Sequence, residues 1–314
     1  MGEAGVLTSP EPGWSPWRPV PNLPVTTRDV VAETLDGGQA FRWQRLADDT
    51  WLGVWGRHVA RLRLASGGRL EWSTPVPLEP GAAAGIATYF GADRDFAAAI
   101  DTLPWRSDPH LARCVEAFPG LRILRQPLGE TLLCFLCSAT KQIVQIKQMV
   151  ALLAEKHGAK IGTAPVLGVR RTFFALPSWP ALAKIPEREL RLCLLGFRAK
   201  YIAQTAARLA DEPDWLAQTE AMPYAEAKQR LCSLPGVGEK VADCVLLFGG
   251  GRLEAFPVDV WILRTMALRY GLEDWKPAPL TQFGRAHFGA FAGLGQQFLF
   301  AWERQAGRPL AGKG

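Results

Sequence analysis

Residues 231–260 read LCSLPGVGEKVADCVLLFGGGRLEAFPVDV. Leu234, Pro235, Gly236, Val237 and Gly238 form a tight turn between two apolar periodic runs, which reads as helix, hairpin, helix. Glycines there allow a sharp turn and leave bare N–H groups at the start of the second helix, so the hairpin at 234–238 suits an anion such as a phosphate. Lys240 falls in the first turn of that helix, where the macrodipole disfavours a cation. It is either an amine nucleophile or a structural lysine, paired with Asp243 three residues on or bound to the phosphate. Asp259 follows Pro257 and Val258, directly ahead of the apolar run VWILRTMALRY, and reads as the N-cap of a further helix. Capping immobilises its carboxylate, and a fixed anion can stabilise positive charge developing on a sugar carbon. Cys244 shares a helix face with Lys240 at i+4, which leaves open both core packing and contact with whatever reaches the amine.

The chain has 314 residues, 48 % of them hydrophobic, enough for two or three compact units. No run reaches the apolar length of a membrane span. The start carries no basic region followed by an apolar core, so no secretory signal is expected. Met1-Gly2 is a poor myristoylation start because Val6 stands where a hydroxyl residue belongs. The six cysteines are scattered, and the one close pair, Cys134 and Cys137, sits in an apolar helical run; buried thiols and a reducing, cytoplasmic setting are expected, at the nucleoid if the source is bacterial. Net charge is +6 but unevenly spread: residues 1–105 hold 9 Lys+Arg against 12 Asp+Glu, leaving 27 against 18 for residues 106–314. The half that carries the hairpin is therefore the half suited to a polyanion.

Along the chain, residues 1–24 are a proline-rich lead-in expected to run extended across the body. Residues 25–105 are expected to form an antiparallel β domain with flanking helices. Strand signals fall at 40–43, 50–55 and 58–64, where Arg61 and Arg63 alternate with Leu62 and Leu64, and short helices at 82–90 and 96–103. The turn at Asp36-Gly37-Gly38-Gln39 is either plain punctuation or a place where Gly38 brings its backbone to a ligand. Residues 106–314 read as helical: 110–118, a long apolar run at 130–157 interrupted by the polar stretch 138–142, then 179–185, 187–195, 199–211, 224–233, 239–248, 259–271 and 291–304. The class is α+β: an N-terminal antiparallel sheet domain, then a two-lobed α-helical body with a helix-hairpin-helix motif.

LPGVGEKVADC followed by FPVDV resembles the helix-hairpin-helix superfamily of DNA glycosylases. GQAFRW at 38–43, LRILRQP and LLCFLCS within 121–138, GFRAKY at 196–201 and FAGLGQQFLF at 291–300 point within it to the bifunctional 8-oxoguanine DNA glycosylase/AP lyases. The resemblance implies base-excision repair of duplex DNA containing an oxidised purine, with the damaged nucleotide flipped out. It implies that the amides of Gly236, Val237 and Gly238, with a monovalent cation, hold a DNA phosphate. Lys240 would attack the sugar C1′, and the resulting Schiff base would permit β-elimination; Asp259 would stabilise charge on the sugar. Gly38 would offer its carbonyl to the N7 hydrogen of the oxidised base, Gln296 would bond the Watson-Crick edge, and Phe300 and Cys244 would sandwich the ring. No catalytic metal is implied, and an iron-sulfur cluster is excluded because no cysteine follows Cys244.

Departures from the family pattern fall on the opposite-strand contacts. Thr140-Lys141-Gln142 replaces an Asn-Asn-Asn run, making Thr140 the residue expected to fill the gap left by the flipped base. Gln145 stands where the family has an arginine that reads the opposite cytosine. Arg198 keeps the companion arginine, Phe197 replaces the wedge tyrosine, and Trp261 replaces a histidine. A monomer is expected, since one site reads its DNA without symmetry. Two rivals remain at the sequence level: a glycosylase of the same superfamily for another damaged base such as an alkylated purine, whose monofunctional members lack the lysine, and a non-catalytic DNA-binding module, which needs neither Lys240 nor Asp259.

Overall fold

The computed structural model describes residues 11–306; the first part of the lead-in and the polar C-terminal tail lie outside the described residues. β1 (Arg18–Pro19) and α1 (Arg28–Asp36) precede a meander of β2 (Trp43–Arg45), β3 (Trp51–Trp55), β4 (His58–Leu64) and β5 (Leu70–Ser73). β1 pairs with β5, so the antiparallel sheet runs β1-β5-β4-β3-β2, and the end of the lead-in is an edge strand.

Alternation along the strands sorts their side chains onto two faces, both covered. Trp43, Trp51, Trp55, Ala60, Leu62 and Trp72 bury one face with Val31 and Leu35 of α1. There Trp43 stacks on Trp55 with ring centroids 5.8 Å apart and donates its indole N–H to the Tyr89 hydroxyl at 2.8 Å. On the other face, Leu52 and Val59 pack with Ala164, Val166 and Phe173. Those last three come from a hairpin of β6 (Lys160–Val166) and β7 (Val169–Phe174), which the sequence reading leaves unassigned and which interrupts the helical body.

That cover explains Arg61, whose alternation with Leu62 suggests a solvated side chain but which is buried. Its guanidinium reaches Asp48 Oδ2 at 2.6 Å and Glu11 Oε2 at 3.1 Å. The two oxygens of Glu11 also accept from the amides of Leu167 (3.1 Å) and Gly168 (2.7 Å), stapling the tip of the β6–β7 hairpin to the lead-in.

α2 (Ala82–Tyr89) packs Ala82, Ile86 and Tyr89 into the sheet core, and the helical body comprises α3 (Phe96–Thr102), α4 (Pro109–Ala117), α5 (Leu128–Leu136), α6 (Ile143–His157), α7 (Trp179–Leu182), α8 (Glu187–Leu190), α9 (Arg198–Asp211), α10 (Trp215–Ala221), α11 (Tyr224–Cys232), α12 (Glu239–Phe248), α13 (Val260–Tyr270), α14 (Pro277–Phe288) and α15 (Ala292–Ala306). The polar stretch at 138–142 is a true break between α5 and α6. α12 is the central helix: Ala242 and every residue from Asp243 to Phe248 are buried. α3 sends Phe96 and Ala99 into this same core, which knits the sheet side to the helices. All six cysteines are free thiols, Cys134 and Cys137 among the buried ones. Among the described residues no cluster of His, Cys, Asp or Glu is arranged to hold a metal, and no helix is long and apolar enough to cross a membrane.

Candidate active site

α11, the hairpin and α12 form the helix-hairpin-helix. Gly236 has φ +78°, and a Cβ there would stand 2.7 Å from Tyr201 Cδ2, so the turn is open only to glycine. Gly238 is the N-cap of α12 and, having no side chain, leaves the first amides of the helix uncapped. Val237 serves the hairpin from inside: its side chain is buried and its amide donates to the Leu234 carbonyl at 3.2 Å.

Lys240 lies half-buried one residue into α12, its Nζ 5.3 Å from the centroid of the Phe135 ring. Pairing with Asp243 is ruled out as the reason for this lysine, because Asp243 is claimed by Lys228 at 3.0 Å and the Tyr224 hydroxyl at 2.6 Å. Among the described residues no carboxylate comes within salt-bridge distance of Lys240. Asp259 caps α13 as the sequence indicates: Oδ1 accepts from the amides of Trp261 at 3.1 Å and Ile262 at 2.9 Å. Burial pushes its carboxyl above the usual carboxylate range, opposed by the Ile262 amide, Lys240 and the Trp261 amide. Burial likewise pushes the Cys244 thiol up to about 12, against the pull of Lys240, so it presents a neutral, soft wall.

These groups line one cavity of ≈ 50 Å³ with Gly38, Gln296 and Phe300, together with Phe135, Phe248, Pro257 and Gln297. Gly38 has φ +107°, and a Cβ there would meet Ile143 Cδ1 at 3.3 Å and Phe300 Cζ at 3.8 Å. Gln39, next in the chain, fixes it. The Gln39 side chain donates to the Arg122 carbonyl at 2.9 Å and accepts from the Leu124 amide at 3.0 Å, and its own carbonyl accepts from Gln126 Nε2 at 2.7 Å. Gln296 is buried on α15; its Nε2 donates to the Pro257 carbonyl at 3.2 Å and its Oε1 accepts from Gln297 Nε2 at 2.7 Å. The sequence reading missed Phe135, Phe248, Pro257, Gln297 and the anchor Gln39; two adjacent glutamines inside an apolar helix were the available signal.

The residues expected at the opposite strand gather on a separate ridge. Thr140 is exposed with φ +55°, a left-handed conformation that costs a β-branched residue about 1–2 kcal/mol. Its Oγ1 accepts from Arg198 Nη2 at 3.0 Å. Lys141 is exposed beside it. Gln145 is exposed but accepts from the Gln142 amide at 3.1 Å, capping its own helix α6. Phe197 projects, 52 % exposed. Arg198 does not project: it is buried, with Nη1 on the Leu195 carbonyl at 3.2 Å and Nη2 also on the Ala139 carbonyl. It braces two loops from within, so its two terminal nitrogens are already engaged in this conformation, whereas Gln145 commits its Oε1 to the cap.

Residues 23–132 match the family described as 8-oxoguanine DNA glycosylase, N-terminal domain. The chain is 31 % identical over 291 residues to the N-glycosylase/DNA lyase OGG1 of Arabidopsis thaliana, covering 88 % of this chain and 78 % of that protein. The solved 8-oxoguanine glycosylase/lyase of Clostridium acetobutylicum, in complex with double-stranded DNA containing cytosine opposite 8-oxoguanine, superposes with a TM-score of 0.80 at 30 % identity over 88 % of this chain and 92 % of that one. A 3-methyladenine DNA-glycosylase from Archaeoglobus fulgidus shares the fold, with a TM-score of 0.69 at 17 % identity over 92 % of this chain and 98 % of that one. The antiparallel sheet, the helical body and the hairpin expected from sequence are all present, and the chain belongs to the N-glycosylase/DNA lyase family of 8-oxoguanine DNA glycosylases.

Proposed function

We infer that this protein excises 8-oxoguanine from duplex DNA and then cleaves the strand at the resulting site. The observation that carries the reading is the single cavity in which Lys240, Asp259, Gly38, Cys244, Gln296 and Phe300 meet, with a phosphate-binding hairpin one residue from the amine. The hairpin amides, with a monovalent cation on the turn carbonyls, hold a backbone phosphate and bring the sugar to Lys240. The neutral amine attacks C1′ as the C1′–N9 bond breaks and its electron pair leaves with the base. Loss of one N–H proton to water lets the nitrogen lone pair expel O4′, which takes up a proton as the sugar ring opens and leaves the protonated imine at C1′; removal of a C2′ proton then expels the 3′ phosphate as the strand break. Asp259, fixed by two amides, opposes the positive charge that develops on the sugar.

Base choice rests on the Gly38 carbonyl. The oxidised base has an N7 hydrogen to donate, whereas guanine presents a lone pair that leaves the carbonyl unpaired and repelled. Gln296 exchanges its present partners for the Watson-Crick edge, and half-buried Phe300 is the wall that swings to admit the ring. The protein is proposed to act as a monomer in a reducing, cytoplasmic setting, at the nucleoid in a bacterial cell. A panel of duplexes, each with one damaged base, tests the reading: 8-oxoguanine is removed fastest, and a preference for methylated purines would overturn it. Binding weakens steeply with salt as phosphate contacts release counterions.

A further inference from the structure

Four residues after α8 the backbone does something its sequence disfavours. Within the π-type turn Arg191–Leu195, Leu194 has φ +62° and ψ +17°, a left-handed conformation that leucine, with a Cβ and no polar side chain to bond locally, has no intrinsic reason to adopt. Nor does burial reward it, since Leu194 is 53 % exposed. What holds it is Arg198, whose buried guanidinium bonds the Leu195 carbonyl on one side and the Ala139 carbonyl and Thr140 hydroxyl on the other. Two left-handed non-glycine residues, Thr140 and Leu194, thus flank one brace.

The surroundings place this strained leucine on the DNA side. Tyr201, one turn into α9, packs on Gly236 of the hairpin, and its ring meets Phe197 edge-on at 6.1 Å. Phe197 and Tyr201 are therefore an exposed apolar pair continuous with the phosphate-binding turn, and Leu192 and Leu194 are exposed in the turn that leads directly into them. Of the twelve large apolar side chains exposed among the described residues, these four fall within ten positions of one another, a concentration that scattered surface residues do not produce. An apolar ridge beside a phosphate clamp matches the chemistry of side chains that enter a base step, unstack it and kink the duplex.

We propose that Leu194 is a second insertion residue, entering the base stack of the bound duplex beside Phe197 and lowering the cost of extruding the damaged nucleotide. The proposal rests on the duplex-DNA glycosylase reading above. The occupant of the ridge is the stacked bases of that duplex, because the ridge continues the surface that grips its backbone. Leu194 is a positioning residue: it touches the duplex away from the reacting atoms.

The test compares Leu194→Gly and Leu194→Met with wild type in single-turnover excision. Glycine relieves the backbone strain, so Leu194→Gly melts at the wild-type temperature or about 2 °C higher. Its excision of 8-oxoguanine paired in a duplex falls about tenfold, while excision from a duplex whose lesion lies opposite an abasic gap, already unstacked, changes less than about twofold. Leu194→Met, which keeps an apolar side chain, stays within about threefold on both. Wild-type rates for Leu194→Gly on the paired duplex, or equal losses on both substrates, would overturn the proposal alone. Failure of the wild-type protein to excise 8-oxoguanine from either substrate would overturn the glycosylase reading and this proposal with it.

Discussion

A Cβ placed on Gly38, in the turn after α1, would stand 3.8 Å from Cζ of Phe300 in the last helix. Two segments far apart in the chain thus close on one cavity, lined by Gly38 from the first and Phe300 from the second. Gly38→Ala loses on two grounds: φ +107° is open only to glycine, and Ile143 already lies 3.3 Å from the new methyl. Equilibrium unfolding is expected to show a loss of about 2 kcal/mol. The ratio of 8-oxoguanine to guanine excision is expected to fall with it, because the carbonyl proposed to separate the two bases is displaced.

Asp259 is a carboxylate kept against its own preference. Because burial raises its folded-state pKa above the unfolded value, its protonated form favours the folded state. That contribution is fully present at pH below the ordinary carboxylate range and is lost as pH rises through the raised pKa. Asp259→Asn keeps an acceptor for the Trp261 and Ile262 amides and removes the buried charge. It is expected to melt no lower than wild type at neutral pH while excision falls by about 100-fold or more. A variant that melted lower and excised normally would show that the charge serves the fold and not the reaction.

Gln39 makes Gly38 a fixed point. Gln39→Leu strands the Arg122 carbonyl and the Leu124 amide, each buried group left unpaired costing about 1–3 kcal/mol. Excision of 8-oxoguanine falls, measured by single-turnover kinetics. Cleavage of DNA that already carries an abasic site is largely retained, since that substrate has no base for Gly38 to read. Equal loss on both substrates would mean that Gln39 supports the whole domain and not the recognition of the base.

What the sequence revealed and what it hid follow the range of the interactions. Lys240 and Asp259 were legible because hairpins and caps are written in adjacent residues, and the strands of the meander because apolar residues alternate between short turns. Gln39 was not, because its partners lie 83 to 87 residues away. The β6–β7 hairpin was hidden because one of its faces, with Arg170 and Thr172, is exposed and the other becomes apolar cover only against a sheet more than ninety residues earlier. α1 lies in a valine- and threonine-rich stretch that reads as strand until Thr27 is seen to cap it by accepting from the Val30 amide at 3.3 Å. α14 opens on Pro277, which is tolerated at a first helical position but reads as loop. Local sequence left Lys240 with a structural alternative; the claim of Lys228 and Tyr224 on Asp243 removed the ion-pair form of it.

Borohydride reduction in the presence of a duplex carrying 8-oxoguanine tests the role of Lys240 most directly, since it traps the imine between amine and sugar. Wild-type protein is expected to yield a covalent protein–DNA adduct, and Lys240→Ala, folded by its melting curve, is expected to yield none. An equal yield of adduct from Lys240→Ala would place the nucleophile elsewhere and contradict the mechanism.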